Sequence, residues 1–152
     1  MRKFSAPSCE VETPDDWQDA STYIVRGPKV MGFQSTVVVA FTKSVLDPYL
    51  KRHVDLQVQD LQKQLPGFAL LRRTEPTPMP YGEAIILEFQ WISREAGMPL
   101  HQYQMYAMAG TTLYTLTATA PVPQWNDLQL QLAGIIRSFR PKDWEAPTQA
   151  PV

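Results

Sequence analysis

The sequence is short of the residues that build reactive sites and covalent crosslinks. Its one cysteine, Cys9, excludes an internal disulfide framework and fits a reducing compartment. Its two histidines, His53 and His101, stand in no metal-ligand spacing, and Cys9 has no matching cysteine or histidine pattern. Neither a glycine-rich phosphate-binding motif nor a nucleophile-elbow motif is present. These absences predict a protein that is not an enzyme and that uses no metal or other cofactor.

The sequence also lacks a strong charge of either sign and any long apolar run. The formal net charge of -1 lacks the excess of positive charge that favours binding to nucleic acid or to an anionic membrane surface. No segment approaches the roughly 18–20 apolar residues that a membrane-spanning helix needs. The basic residues near the N-terminus are not followed by the apolar region of a secretory signal. We therefore expect a soluble, cytoplasmic protein that binds no nucleic acid and does not itself insert into a membrane.

The clearest pattern that is present predicts an amphipathic helix over residues 48–68, closed by Pro66 and Gly67. Gln57 projects inside the apolar stripe of this helix, at about 100° per residue. The amide either reaches water at the edge of the stripe or hydrogen-bonds an apolar partner, because an unpaired buried amide costs roughly 1–3 kcal/mol. The apolar positions of the stripe are Leu50, Val54, Val58, Leu61 and Leu65.

Residue alternation and turn signals predict β-strands over 9–13, 21–26, 35–42, 68–74, 82–91, 98–108 and 111–120. Gly27-Pro28 is expected to end the second strand, and the apolar run in 35–42 indicates burial on both faces. A second helix follows Pro121, with a core stripe of Trp125, Leu128, Leu132, Ile135 and Phe139. The order predicts an α+β fold, an antiparallel sheet of about six or seven strands with two main helices packed on it. We expect one domain over 1–140 and a flexible, proline-rich tail over 141–152.

The strand at 98–108 carries large side chains on both faces. One explanation is a sheet with helices over both faces, or an outer face with ordinary amides. The other is a concave apolar surface dotted with glutamines, which suits varied apolar helices because methionine adapts its shape and glutamine can donate or accept.

Several segments together resemble a known family. They are PDDWQD at 14–19, LQKQLPGF at 61–68, the strand from Gly82 and Ala84 to QW at 90–91, the strand containing Gln102, and LYTLTATAP at 113–121. In order and spacing, over roughly residues 8–140, they resemble the Eag family. These are effector-associated chaperones of type VI secretion, within the DcrB-like group, and the resemblance implies a PsbP-like α+β fold with a concave groove.

The resemblance also implies a function and a set of partners. Proteins of this family are small cytoplasmic homodimers that bind the N-terminal transmembrane helices of secreted effectors before export. Those effectors commonly carry a PAAR domain, often an Rhs cage, and load onto the VgrG spike. The implied role is a chaperone and adaptor that shields such helices. The alternative is a DcrB-like structural or envelope accessory domain without enzymatic activity.

The groove positions that the resemblance implies lie on four segments of the sequence. Gln57 and Gln102 are expected to hydrogen-bond the bound helix and to meet water when the groove is empty. Thr22 is polar where an aliphatic residue is expected. The implied positions are Thr22, Ile24, Val38, Gln57, Leu61, Leu65, Met98, Leu100 and Gln102.

Overall fold

The computed structural model describes residues 2–5, 9–17 and 21–142. Nine strands and two helices lie in this part of the chain. The strands are β1 (Arg2–Ser5), β2 (Glu10–Thr13), β3 (Thr22–Val30), β4 (Phe33–Thr42), β5 (Ala69–Arg73), β6 (Thr77–Met79), β7 (Gly82–Ser93), β8 (Met98–Ala109) and β9 (Thr112–Pro121). The helices are α1 (Leu50–Gln64), between β4 and β5, and α2 (Val122–Arg137), after β9.

Seven of the strands form one antiparallel sheet, in the order β3-β4-β9-β8-β7-β5, with the short β6 also paired to β7. Strands β1 and β2 pair separately as a two-stranded sheet. The predicted α+β class, the strand number and the two helices are confirmed.

The two helices cover opposite faces of the large sheet. Tyr103 and Met105 of β8 belong to the core under α2, whereas Tyr106 and Met108 of the same strand belong to the core under α1. The α2 core also includes Trp125, Leu132, Ile136, Ala107, Leu116 and Ala118. The α1 core also includes Leu50, Val54, Leu61, Ile85, Leu87 and Phe89. Alternate side chains of a strand point to opposite faces, so both faces of β8 are buried. Large side chains on both faces of this strand are thereby explained.

Two strand predictions need correction. Gly27-Pro28 does not end the second strand, because β3 continues to Val30 through a register shift between Arg26 and Lys29. A bulge takes up the one extra residue and tolerates a proline, which has no N–H to donate to the ladder. The run in β4 is not buried on both faces, since Val37 is buried but Val38 and Ala40 are half-exposed.

The core stripe of α2 also differs from the prediction at one position. Ile136 is fully buried under α2, whereas the predicted Ile135 is 41% exposed. Trp125 and Leu132 are buried as expected, and Leu128 is partly buried against them. Trp125, Leu132 and Ile136 share one face of the helix at about 100° per residue, and Ile135 lies at the border of that face.

The tail prediction falls mostly outside the described residues. Residues 143–152 are not among them, and within 141–142 Pro141 is buried while Lys142 is exposed. The predicted domain boundary at residue 140 stays a prediction.

Candidate functional site

Helix α1 covers only part of its face of the sheet. It packs against β7 and β8, and the neighbouring strands β9, β4 and β3 carry half-exposed or exposed side chains on that same face. We call this surface the open half. Its residues are Thr22, Ile24, Thr36, Val38, Ala40, Thr115, Thr117 and Thr119.

The pairing of the strands shows that these residues share a face with the α1 core. Ile24 lies opposite Val38, and Val38 lies opposite Thr117. Thr117 in turn lies opposite Gln104, and Gln104 opposite Leu87, which is buried under α1. Residues directly opposite one another in an antiparallel sheet point to the same side. A continuous row therefore runs from the covered part of the sheet to exposed Ile24.

A chain of side-chain hydrogen bonds marks the border between the covered part and the open half. The Trp91 indole Nε1–H donates to Gln102 Oε1 at 3.0 Å, and Gln102 Nε2 donates to Thr119 Oγ1 at 2.9 Å. Gln102 is therefore held by two protein side chains. The expectation that water alone meets this amide in the free protein is wrong.

A second series of side-chain hydrogen bonds lies beside the first, two residues away along β8 and β9. The Tyr106 hydroxyl donates to Gln104 Oε1, and Gln104 Nε2 donates to Thr117 Oγ1 at 3.1 Å. Burial raises the pKa of the Tyr106 phenol far above its ordinary value, so this hydroxyl stays protonated and keeps donating.

The two chains leave the border rich in hydrogen-bond donors. Each glutamine carbonyl already accepts a bond. Among the described residues, no partner occurs for the second N–H of half-exposed Gln102 or for the hydroxyl protons of half-exposed Thr117 and Thr119, whereas Gln104 is buried at 7% exposure. A ligand that presents carbonyl or hydroxyl oxygens finds donors here, and an apolar ligand finds Ile24, Val38 and Ala40 beside them.

Gln57 lies on the flank of α1 that faces the open half. On the other flank, Asp55 Oδ1 meets Arg73 of β5 at 2.6 Å, which anchors that side of the helix toward the β5 edge. Two residues along a helix are about 200° apart, so Gln57 projects away from β5 and toward β9. Gln57 is half-exposed, and no hydrogen bond from its amide occurs within the described ranges. Its amide is accessible to water or to a ligand.

The remaining predicted positions do not all reach this surface. Leu61 is buried in the core between α1 and the sheet, and Leu65 packs at the edge of that core. Leu100 is also buried, at 6% exposure, and Met98 is half-exposed at the start of β8. Leu61 and Leu65 therefore lie in the part of this face that α1 covers, and Leu100 is buried, so these three do not stand on the open half. Thr22, Ile24 and Val38 lie on the open half, and Gln57 and Gln102 lie at its border.

The sequence prediction missed the threonines of β9. Thr115, Thr117 and Thr119 recur at every second position, which places all three on the open half. The sequence TLTATA at 115–120 indicates that the three threonines share one face of the strand. It does not indicate whether that face is the one that α1 partly covers or the one under α2.

The described residues hold neither a metal-binding cluster nor a membrane-spanning helix. No group of three histidine, cysteine, aspartate or glutamate side chains comes together there as a metal site. None of the helices in the same ranges is long and apolar enough to span a bilayer.

Comparison with known proteins defines the family. The sequence model of the DcrB family matches residues 9–138. The chain belongs to the DcrB family. Within the curated proteins, this DcrB-family chain is 28% identical over 120 residues to the protein named Effector EagT6 of Pseudomonas aeruginosa, covering 78% of this chain and 83% of that one. The sequence resemblance to Eag proteins is thereby confirmed.

Solved structures confirm the PsbP-like fold of this DcrB-family chain. A Pseudomonas aeruginosa protein of unknown function, PA94, superimposes with a TM-score of 0.77 at 23% identity, over 95% of this chain and 99% of that one. Cyanobacterial PsbP from Synechocystis sp. PCC 6803 gives a TM-score of 0.54 at 13% identity, with 91% of each chain covered. These likenesses concern the fold alone.

Proposed function

We propose that this protein is a cytoplasmic chaperone that shields the N-terminal transmembrane helices of a type VI secretion effector. The effector is of the PAAR or Rhs type, and the chaperone, acting as a homodimer, aids its loading onto the VgrG spike. The proposal is supported by the similarity to a protein named Effector EagT6 and by the Eag-like sequence segments. The observation that carries it is the open half, an uncovered sheet surface with aliphatic side chains beside a border of donors.

The chemistry of the open half suits an apolar helix. A transmembrane helix outside a membrane exposes apolar area, and burial recovers roughly 25 cal/mol per Å² of that area. Ile24 and Val38 supply the apolar contact, and the small Ala40 permits close approach of a helix backbone. The threonine hydroxyls and glutamine N–H groups can donate to serine, threonine or carbonyl oxygens of the helix. The function needs none of the groups of an enzyme active site.

A capture experiment with a defined probe tests the proposal. The probe is a soluble carrier protein with an N-terminal helix of about 20 alanine, leucine and serine residues, the length of a membrane span. We expect co-expression with the chaperone to keep the probe in the soluble fraction and the two proteins to co-purify. A probe that remains insoluble and uncaptured would contradict the proposal.

Two matched isoleucines locate the capture surface. Ile24→Asp places a charge on the open half, and desolvating it against an apolar helix costs several kcal/mol, so capture should fall at least about tenfold. Ile92→Asp is the control, because Ile92 is 53% exposed, close to the 48% of Ile24, but lies on the opposite face of the sheet. Both variants should melt near the wild-type temperature. Equal loss of capture in both would remove the open half from the site.

A further inference from the structure

The first of the two series of side-chain hydrogen bonds starts from a group that can only donate. The Trp91 indole carries one N–H and no acceptor, and its Nε1 lies 3.0 Å from Gln102 Oε1. Trp91 stands two residues along β7 from Phe89, which lies opposite Gln102, and it packs against the α1 core. Packing therefore holds the indole in place, and the indole fixes which atom of the Gln102 amide faces it.

This constraint passes to the next group in the series. Because Gln102 Oε1 faces the indole, Gln102 Nε2 faces Thr119 Oγ1 at 2.9 Å and must donate to it. The Thr119 oxygen accepts this bond, and no partner for its hydroxyl proton occurs among the described residues. Thr119 is half-exposed on the open half. The series therefore ends in an O–H group that can donate to a ligand.

The second series lacks such a starting group. It runs between the hydroxyls of Tyr106 and Thr117, and a hydroxyl can accept as well as donate. Its amide, Gln104, is also buried, at 7% exposure. On the flank of α1, the half-exposed Gln57 can turn either end of its amide toward a ligand. The first series is thus the one whose direction is fixed.

A border that only donates favours a particular kind of helix. A serine or threonine within a helix can donate its own proton to the carbonyl four residues earlier, and its oxygen then accepts a bond from outside. Backbone carbonyls beside small residues are also accessible, because another surface can approach the helix closely there. A side chain with N–H groups alone would face a second donor at this border, which disfavours it.

We propose that Trp91 is a positioning residue for capture, and that it makes this border selective for helices that present serine, threonine or carbonyl oxygens. The selectivity rests on the proposed function, since it concerns the same surface. Trp91 acts through Gln102, whose second N–H and whose partner, the Thr119 hydroxyl, donate to the bound helix. Without the indole, the amide can rotate so that Oε1 faces Thr119. The hydroxyl then donates inward, and its bond to the helix is lost.

Two versions of the capture probe test the selectivity. One carries serine at every fourth position of its helix, and the other carries alanine at the same positions. We expect the ratio of serine-probe to alanine-probe capture to be roughly two- to tenfold lower in Trp91→Phe than in the wild type, the range that one hydrogen bond contributes. A ratio measured on one preparation is independent of how much of the protein is folded. An unchanged ratio would overturn the proposal.

Two further variants separate positioning from stability. Gln102→Met keeps the length of the side chain and removes the amide, so it should lower the ratio as Trp91→Phe does. Trp91→Phe added to Gln102→Met should change the ratio no further, because the indole acts through this amide. Trp125→Phe is the control, since Trp125 of α2 is buried in the core on the opposite face of the sheet. It should lower the melting temperature and keep the wild-type ratio. A further fall in the double variant, or an equal fall in Trp125→Phe, would contradict the positioning role.

The indole N–H resonance of Trp91 reports on the series directly. In the wild type, its hydrogen exchange should be slowed by the bond to Gln102, and in Gln102→Met exchange should be at least about twofold faster. Equal exchange rates in the two proteins would overturn the fixed direction of the series.

The two probes also keep this selectivity apart from the proposed function. Capture of both probes, with a ratio that Trp91→Phe leaves unchanged, supports the function and overturns the selectivity. Failure of the wild-type protein to capture either probe overturns the function, and the selectivity with it.

Discussion

Gln102 and Gln57 are two amides beside the open half that differ in their partners. Gln102→Ala removes the acceptor of the Trp91 indole and the donor to Thr119. Because both partners are half-buried, we expect the free energy of unfolding to fall by about 1 kcal/mol in urea titrations. Gln57→Ala is the control and should change it by less than about 0.5 kcal/mol. Equal losses would contradict the structural role of Gln102.

Leu61 was implied by the family resemblance to contact a bound helix, but in the structure it packs in the protein's own core. It is 8% exposed and packs with Leu50, Val54 and the sheet. The apolar stripe of α1 predicts that Leu61 is buried, but it cannot say whether the neighbour is the protein's own sheet or a partner. That choice depends on how far α1 extends across the sheet, a property of tertiary packing.

His101 gives the stability of the protein a dependence on pH. It is buried, stacks on Trp125 with ring centroids 3.9 Å apart, and its Nε2 lies 3.0 Å from Glu88 Oε2. Burial lowers the pKa of His101 below its ordinary 6.5, although the Glu88 carboxylate opposes the shift. As pH falls below 6.5, the unfolded chain takes up a proton before the folded chain does, so folding stability is lost.

The test compares the two histidines of the chain. We expect His101→Gln to reduce the fall in Tm between pH 7 and pH 5 relative to the wild type. His53→Gln is the matched substitution at a half-exposed histidine, whose Nε2 lies 2.9 Å from the Asp47 carbonyl oxygen. The slope is compared rather than the absolute Tm, since either substitution can shift stability at all pH values. Parallel curves for the wild type and His101→Gln would contradict this role.

At the scale of the element, α2 provides a matched pair of neighbouring isoleucines. Ile136→Ala leaves a cavity in the core with Trp125 and Leu132, and we expect the free energy of unfolding to fall by about 2–5 kcal/mol. Ile135→Ala, at a 41% exposed position, should cost less than about 1 kcal/mol. Chemical denaturation of both variants measures the difference. A larger loss of unfolding free energy in Ile135→Ala than in Ile136→Ala would show that Ile135 is the core residue.

Most elements were predictable because their residue patterns are periodic. The alternation in β7, the β-branched run in β4 and the stripe of α1 each predicted an element that the structure contains. The end of β3 was not predictable, because Gly27-Pro28 resembles a turn and only the pairing with β4 reveals a bulge. The choice between adjacent Ile135 and Ile136 was equally open in the sequence.

The surface was predictable only in part. Ile24, Val38 and Gln102 were implied by resemblance and lie at or beside the open half. Their common face depends on the register of four strands, and the sequence does not encode that register locally. The same dependence on strand register explains why the sequence did not identify the threonines of β9 as part of the open half.

At the scale of the whole molecule, the C-terminal residues offer a test of domain extent. We expect a chain that stops after Lys142 to unfold within about 0.5 kcal/mol of the full chain and to capture the probe helix equally well. Stopping after Arg140 also removes the buried Pro141 and should cost about 1 kcal/mol. Thermal or urea unfolding of the two shortened chains checks this, and lost capture in the longer one would assign the tail a role in binding.

The placement of the two helices on opposite faces has an evolutionary consequence. Side chains of the open half meet neither helix core, so substitutions there escape the constraint that packing imposes on Tyr103 or Leu87. Thr22, Val38 and Thr115 can drift among threonine, valine and isoleucine, residues that strands accept readily. Thr117 and Thr119 are more constrained, because they accept hydrogen bonds from Gln104 and Gln102. A lineage of such proteins can therefore follow a changing cargo by altering one half of one face, while the rest of the sheet stays under purifying selection for folding.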